Sequence, residues 1–214
     1  MDFWRLKRVD KMSHYFTNDE VKSDEKKLNI VFKNKKYIMH TDNGVFSKKG
    51  LDFGTRSLLE NIPFGCLKGD ILDFGCGYGP IAIIVADNTD AKVDALDINL
   101  RSLKLAKKNA SENHVDVNFF ESDIYNNVNK KYDFIITNPP IRVGKEILFK
   151  ILIGAKEHLK ENGELYFVIN KAQGAKSTAK MLENEYLVKI IAKSKGFYII
   201  NCKIKKSNWQ FARN

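Results

Sequence analysis

Apolar positions along the chain switch between two periods, every second residue and every third or fourth, and that alternation predicts the fold class. Within residues 27–42, LNIVF and YIMHT are β-rich runs around the turn-like NKK and predict a hairpin. LDFGTRSLLENI, residues 51–62, gathers Leu58, Leu59 and Ile62 on one helical face. From residue 69 strands and helices alternate: DILDFG, PIAIIVADN, KVDALD, NLRSLKLAKKNASEN and VNFFES, then DFIITN as a strand. EILFKILIGAKEHLKENG follows as a helix ending at Gly163, then the strand ELYFVI and the helix AQGAKSTAKMLENE. This is the pattern of a parallel sheet with helices on both faces and right-handed crossovers. EYLVKIIAKS and GFYIINCKI are separated only by Lys195 and Gly196, too short for a crossover, and predict an antiparallel hairpin at one sheet edge. The expected class is α/β, with a mostly parallel seven-stranded sheet and a small N-terminal hairpin. Residues 1–26 read as a polar segment, 27–206 as a single domain with 27–50 as its hairpin extension, and 207–214 as a tail.

Length and composition add limits. The 214 residues suit one domain, and a hydrophobic share of 43% beside 29% charged residues is that of a globular protein. No apolar run approaches the ~20 residues that cross a bilayer, and the charged N-terminus lacks the continuous apolar core of a secretory signal. A cytoplasmic protein is expected. Cys66, Cys76 and Cys202 are odd in number and lack ligand spacing, so they read as reduced, with no metal site. The net charge of +10 suits a polyanion such as RNA, although a lysine-rich, asparagine-rich bias from an A/T-rich genome produces the same balance.

The first parallel strand runs through Asp73 into DFGCGYGP, where Gly75, Gly77 and Gly79 precede a helix that Pro80 can open. A dinucleotide site, an S-adenosylmethionine (SAM) loop and a tight turn without a ligand all fit. Asp97, followed by Ile98, ends the next strand 22 residues after Gly75, the spacing at which a carboxylate reaches ribose hydroxyls. It also suits a cap for the helix starting near Asn99. Asp123 and Ile124 end the third strand, placed to meet an adenine amino group and ring, or to make a simple turn.

Asn138 closes the fourth strand before Pro139 and Pro140, a stiff turn at the sheet end where open α/β folds bind ligands. The Asn138 side-chain oxygen and the Pro139 carbonyl could hold both hydrogens of an amino group whose lone pair is otherwise delocalised. Ile141 follows the turn and could pack on a base. Arg142, Lys145, Lys171 and Lys176 fall on the same predicted face, suited to phosphates or to the O6 edge of guanine, and Gln173 to a base contact; solvated surface residues are the competing reading.

DFGCGYG, Asp97, Asp123 and TNPPI together resemble a class I SAM-dependent methyltransferase of the amino-methylating kind. With GVFSKKGLDFGT, NPPIRVGKE and VINKAQGAKS, the pattern over about residues 28–204 resembles the small-type methyltransferase domain of bacterial 16S ribosomal RNA guanine-N2 methyltransferases, most closely the short single-domain relatives. The resemblance implies a Rossmann-like fold, SAM as cofactor, and 16S ribosomal RNA or the small ribosomal subunit as partner. It implies cofactor contacts from Asp73, Gly75, Gly77, Gly79, Asp97, Ile98, Asp123 and Ile124, closure by Phe46, Gly50 and Thr55, and a grip on the target amine by Asn138 and Pro139. Ile141 departs from the pattern, standing where the well-characterised guanine enzymes have an aromatic residue. Three other functions keep part of the motif set: a protein glutamine methyltransferase, a nicotinamide oxidoreductase, and a non-catalytic RNA-binding or assembly factor on a methyltransferase scaffold.

Overall fold

The computed structural model describes residues 22–43, 45, 50–140 and 144–205. The N-terminal hairpin pairs β1 (Lys26–Phe32) with β2 (Lys35–Thr41) in antiparallel register. Its turn is Lys33 and Asn34, at φ 45° and 64°, the left-handed pair that matches strand twist in a two-residue hairpin. Period-two alternation turns Ile30, Phe32, Tyr37 and Met39 inward, and all four are buried.

The large sheet contains β3 (Asp70–Phe74), β4 (Lys92–Asp97), β5 (Asn118–Glu121), β6 (Tyr132–Thr137), β7 (Leu159–Asn170), β8 (Tyr186–Ser194) and β9 (Phe197–Ile204). Their spatial order is β5-β4-β3-β6-β7-β9-β8. β3 to β7 pair in parallel, whereas β9 runs antiparallel to both β7 and β8, so the C-terminal hairpin closes one edge as its short turn requires. The chain builds β4 and β5 on one side of β3 and then returns to place β6 on the other. Strand order therefore reverses between β3 and β6, which opens a crevice beyond their carboxyl ends.

Helices α1 (Phe53–Asn61), α2 (Pro80–Asp87) and α3 (Leu100–Glu112) cover one face with the hairpin, and α4 (Lys145–Gly154) and α5 (Ala175–Leu182) cover the other. Neighbouring residues of β3 serve opposite layers, Ile71 packing with the first cluster and Leu72 with the second. The outer backbone of β2 is paired by side chains. Asn113, the C-cap of α3, accepts from Ile38 N at 3.0 Å and donates to Ile38 O at 2.6 Å. Asn109 does the same for His40 at 2.6 and 2.9 Å, and its Nδ2 also donates to Tyr78 O at 2.9 Å. Two amides one helical turn apart thus stand in for a third strand and tie the hairpin to the loop after β3.

Two expected helices are shorter than the apolar period suggests. The segment expected to stay helical to Gly163 leaves α4 at Gly154, makes a 3-10 turn over Ala155–His158 and enters β7 at Leu159. Leu159 pairs with Tyr132, and Lys160 is drawn to Asp70 and Asp133 at 2.7 Å each, so the run to Gly163 becomes an irregular start of a strand. The helix expected from Ala172 begins at Ala175, because Gly174 at φ 90° ends a 3-10 turn that Asn170 and Gln173 cap reciprocally.

Candidate active site

Four strand ends, those of β3, β4, β5 and β6, converge on the crevice. Beyond β3, Gly75 N and Cys76 N both donate to Leu96 O at 2.9 Å, which draws the glycine loop over the end of β4. Gly75, Gly77 and Gly79 have φ of 70°, 56° and 91°. A Cβ on Gly75 or Gly77 would meet nothing within 4 Å, so backbone conformation selects glycine there and leaves open space above the loop. Gly79 is different: its Cβ would come to 3.1 Å of the Ala106 Cβ on α3.

Asp97 accepts from Gly77 N and Asn99 N at 2.8 Å each, so it fastens the loop as well as facing the crevice. Burial pushes its carboxyl above the usual range in spite of those donors. Capping of α3 falls to Asn99, whose side chain accepts from Ser102 N. Asp73 lies under the loop, 1% exposed, with Oδ2 accepting from Ala82 N at 3.0 Å. Its Oδ1 is buried without a hydrogen-bond partner. Burial, opposed by the Ala82 N–H and assisted by the Asp97 charge, pushes this carboxyl up to about 8.

After β5, Ser122 Oγ donates to Ile124 O at 3.0 Å and accepts from Asn127 N at 3.1 Å, making a tight turn. Ile124 sits at φ 51°, a strained conformation for a β-branched residue that holds its half-buried side chain out of the regular strand. Asp123 is exposed beside it.

After β6, Thr137 donates to Phe74 O at 2.8 Å and locks this strand end to that of β3. Half-buried Asn138 turns its Nδ2 to Thr55 Oγ1 at 2.9 Å, with both Asp52 carboxylate oxygens at 3.4 Å. Asp52 is the N-cap of α1, and Tyr78 of the glycine loop donates to Gly50 O at 3.3 Å. The segment carrying Gly50 and Thr55 therefore meets both the glycine loop and Asn138. Pro139 is buried and Pro140 half-buried. Phe46, Ile141 and Arg142 lie outside the described residues. Lys145 and Lys171 are exposed at the starts of α4 and the 3-10 turn, and Lys176 is exposed on α5. Gln173 is exposed and spends its Oε1 on Asn170 N at 3.2 Å as part of the cap of the 3-10 turn.

Asp52, Tyr78 and Asn109 join this site without having been singled out in the sequence. Asp52 was legible as a helix cap ahead of GTR, but its contact with Asn138, 86 residues away, was not. Among the described residues no group of three or more His, Cys, Asp or Glu could hold a metal ion, and no helix is long and apolar enough to cross a membrane.

The model of the family described as "Methyltransferase small domain" matches residues 36–201. The chain belongs to this family. It is 41% identical over 196 residues to the uncharacterized protein YbxB of Bacillus subtilis (strain 168), a match spanning 89% of this chain and 98% of that one. It is 38% identical over 132 residues to ribosomal RNA small subunit methyltransferase C of Haemophilus influenzae (strain 86-028NP), a match spanning 59% of this chain and 40% of that protein. The shares matched in the relatives named ribosomal RNA small subunit methyltransferase C run from 40% to 52%, so the chain spans about half their length or less. Among solved structures, the T. thermophilus 16S rRNA N2 G1207 methyltransferase (RsmC) in complex with AdoMet and guanosine has a TM-score of 0.77 at 22% identity, over 87% of this chain and 52% of that one. The ribosomal protein L11 methylase of Lactobacillus delbrueckii subsp. bulgaricus has a TM-score of 0.63 at 24% identity, over 73% of this chain and 85% of that one. Both structural likenesses are of fold.

This small-domain protein is a SAM-dependent methyltransferase. The crevice fits that cofactor chemically. SAM presents an ammonium, ribose hydroxyls and an aminopurine, all donors, and the methyltransferase's strand ends present acceptors: the unpartnered Asp73 Oδ1 and the carboxylates of Asp97 and Asp123. Open space above Gly75 and Gly77 leaves room beside them.

Proposed function

We propose that this methyltransferase transfers a methyl group to an exocyclic amine, guanine N2 of small-subunit (16S) ribosomal RNA. The observation that carries the reading is the Asn138 amide. Its nitrogen is spent on Thr55 and faces Asp52, so its oxygen is the acceptor left for a substrate, next in the chain to the Pro139 carbonyl. In this reading Gly75, Gly77 and Gly79 line the methionine end of SAM, and Asp73 and Asp97 take its ammonium and ribose donors. Ile98, Asp123 and Ile124 hold the adenine end, and Gly50 and Thr55 close the near side.

Bound there, the cofactor supplies a methyl group on a sulfonium that departs as a neutral thioether, so no general acid is needed. Asn138 Oδ1 and Pro139 O accept the two amine hydrogens and favour a geometry in which the nitrogen lone pair is available for attack. Pro140 stiffens the grip. The proton left on nitrogen after transfer passes to water.

RNA as the acceptor is supported by the net charge of +10 and by the names of the curated relatives. It is also supported by the β8–β9 turn. Phe197 pairs with Asn170, the last residue of β7, so Lys195 and Gly196 lie at the same sheet end as Asn138. Lys171 N donates to Gly196 O at 2.7 Å, and Lys193 and Lys195 stand exposed beside it. The test is transfer of labelled methyl from SAM to small subunits, and to naked 16S RNA, from cells lacking this protein, followed by nucleoside analysis. Label in N2-methylguanosine is expected. Label confined to protein would favour a glutamine acceptor, and SAM binding with no label anywhere would favour a non-catalytic scaffold.

A further inference from the structure

A chain of donors and acceptors fixes which way the Asn138 amide faces. The Asp52 carboxylate accepts from Gly54 N at 2.9 Å and Thr55 N at 3.2 Å, closing the first turn of α1. It also accepts from the Thr55 hydroxyl. That bond uses the only hydrogen on Thr55 Oγ1, so the same oxygen can only accept from Asn138, 2.9 Å away. A flipped amide would set Oδ1 against this spent hydroxyl and against two carboxylate oxygens at 3.4 Å. Three acceptor-to-acceptor contacts would replace three attractive ones.

We propose that Asp52, directly and through Thr55, is a positioning residue that locks the Asn138 side chain with its carbonyl oxygen turned to the crevice. The lock decides what the site can take. An oxygen facing the substrate, paired with the Pro139 carbonyl, calls for a group with two hydrogens to give, whereas the flipped amide would offer donors to a donor. For the identity of that amine the inference rests on the function proposed above; the orientation of Asn138 does not depend on it.

Three variants separate positioning from folding. Asp52→Asn is nearly isosteric and an equally good helix cap, so α1 should persist, but its new NH2 can donate to a flipped Asn138. Thr55→Val removes the hydroxyl, and Thr55→Ser restores it. The first readout needs no acceptor: the side-chain 15N–1H signals of Asn138 in SAM-saturated protein, assigned by their loss in Asn138→Asp. Slow exchange with water is expected in the parent, with protection lost and shifts moved in Asp52→Asn. The second readout is kinetic. Asp52→Asn and Thr55→Val should lower kcat about tenfold to a hundredfold, Thr55→Ser should recover most of the Thr55→Val loss, and in Asp52→Asn, which has no cofactor contact to lose, KM for SAM should stay within about threefold. Asn138 signals that are identical in Asp52→Asn and the parent would overturn the lock whatever the acceptor. An altered signal with unchanged kcat would overturn its role in the reaction. If the parent labels no RNA while the signals respond as expected, the lock stands and the guanine reading falls.

Discussion

Gly77 and Asp97, beyond the ends of the adjacent strands β3 and β4, are joined by a 2.8 Å hydrogen bond from the backbone of one to the carboxylate of the other. A residue that sequence spacing marks for a ribose is thus also a strut for the loop that would line the rest of the cofactor. Asp97→Ala should therefore weaken SAM binding about tenfold to a hundredfold, through both a lost acceptor and a loosened loop. Asn138→Ala should leave SAM affinity within about threefold and abolish turnover. Titration calorimetry with SAM, alongside the methyl-transfer assay, checks the pair. Equal effects of the two variants on SAM binding would sink the division of roles.

Asp73 gives the protein without cofactor a pH signature. Its folded carboxyl titrates at about 8, far above the 3.8 of an ordinary aspartate. The unfolded chain releases this proton first as pH rises, so between these two values Asp73 makes folding progressively less favourable, and above them its cost is constant. Asp73→Asn removes the titration. Its melting temperature relative to the parent should rise between pH 5 and pH 8 by several degrees, at about 3 °C per kcal/mol for a chain of this size. A difference that does not change with pH would show that Asp73 is not held neutral in the fold.

Asn109 is fully buried and serves three backbone groups on two segments, the N–H and C=O of His40 and the C=O of Tyr78. Asn109→Leu keeps the branching at Cγ, with bulkier methyl groups, but strands all three, and should cost about 3 kcal/mol in urea unfolding. Asn113→Ala, at a half-buried helix end, should cost less. Since Tyr78 belongs to the glycine loop, Asn109→Leu should also weaken SAM binding; a loss of stability below about 1 kcal/mol would mean water replaces the amide without penalty.

What could be read from the chain differs between layers. The parallel strands were legible because burial on both faces leaves continuous apolar runs such as LYFVI of β7, residues 165–169, all of them buried. The glycine loop and Asn138 were legible as neighbours because Phe74 and Thr137, the residues just before them, lie opposite each other in adjacent strands. The boundary at Gly154 was not legible, since ILFKILIGAKEHL keeps a helical period that only the pairing of Leu159 with Tyr132 interrupts. Asp52 and Asn109 were missed for another reason. Each looks like an ordinary cap or helix asparagine, and each has partners brought close only by the tertiary fold.

The β8–β9 turn offers a test of how RNA would approach. Lys195 Nζ lies 5.0 Å from the centre of the Phe53 ring and Lys193 Nζ 5.1 Å from that of Tyr198, so aromatic faces brace both stems at the rim of the crevice. Phe53 is the residue after Asp52, which places this rim beside the amide grip. If the two ammonium groups meet phosphates, each releases counterions on binding, and the double variant Lys193→Ala/Lys195→Ala should flatten the slope of log affinity against log salt by roughly 1.5. SAM affinity should not move. Lys68, exposed just ahead of β3 at the opposite end of the sheet, is the control, and Lys68→Ala should leave the slope unchanged. Salt titrations of binding to a 16S RNA fragment measure both. Equal slopes for the double variant and the parent would place the RNA elsewhere on the surface, whereas a flattened slope shared by Lys68→Ala would mark a general effect of net charge rather than a contact at this rim.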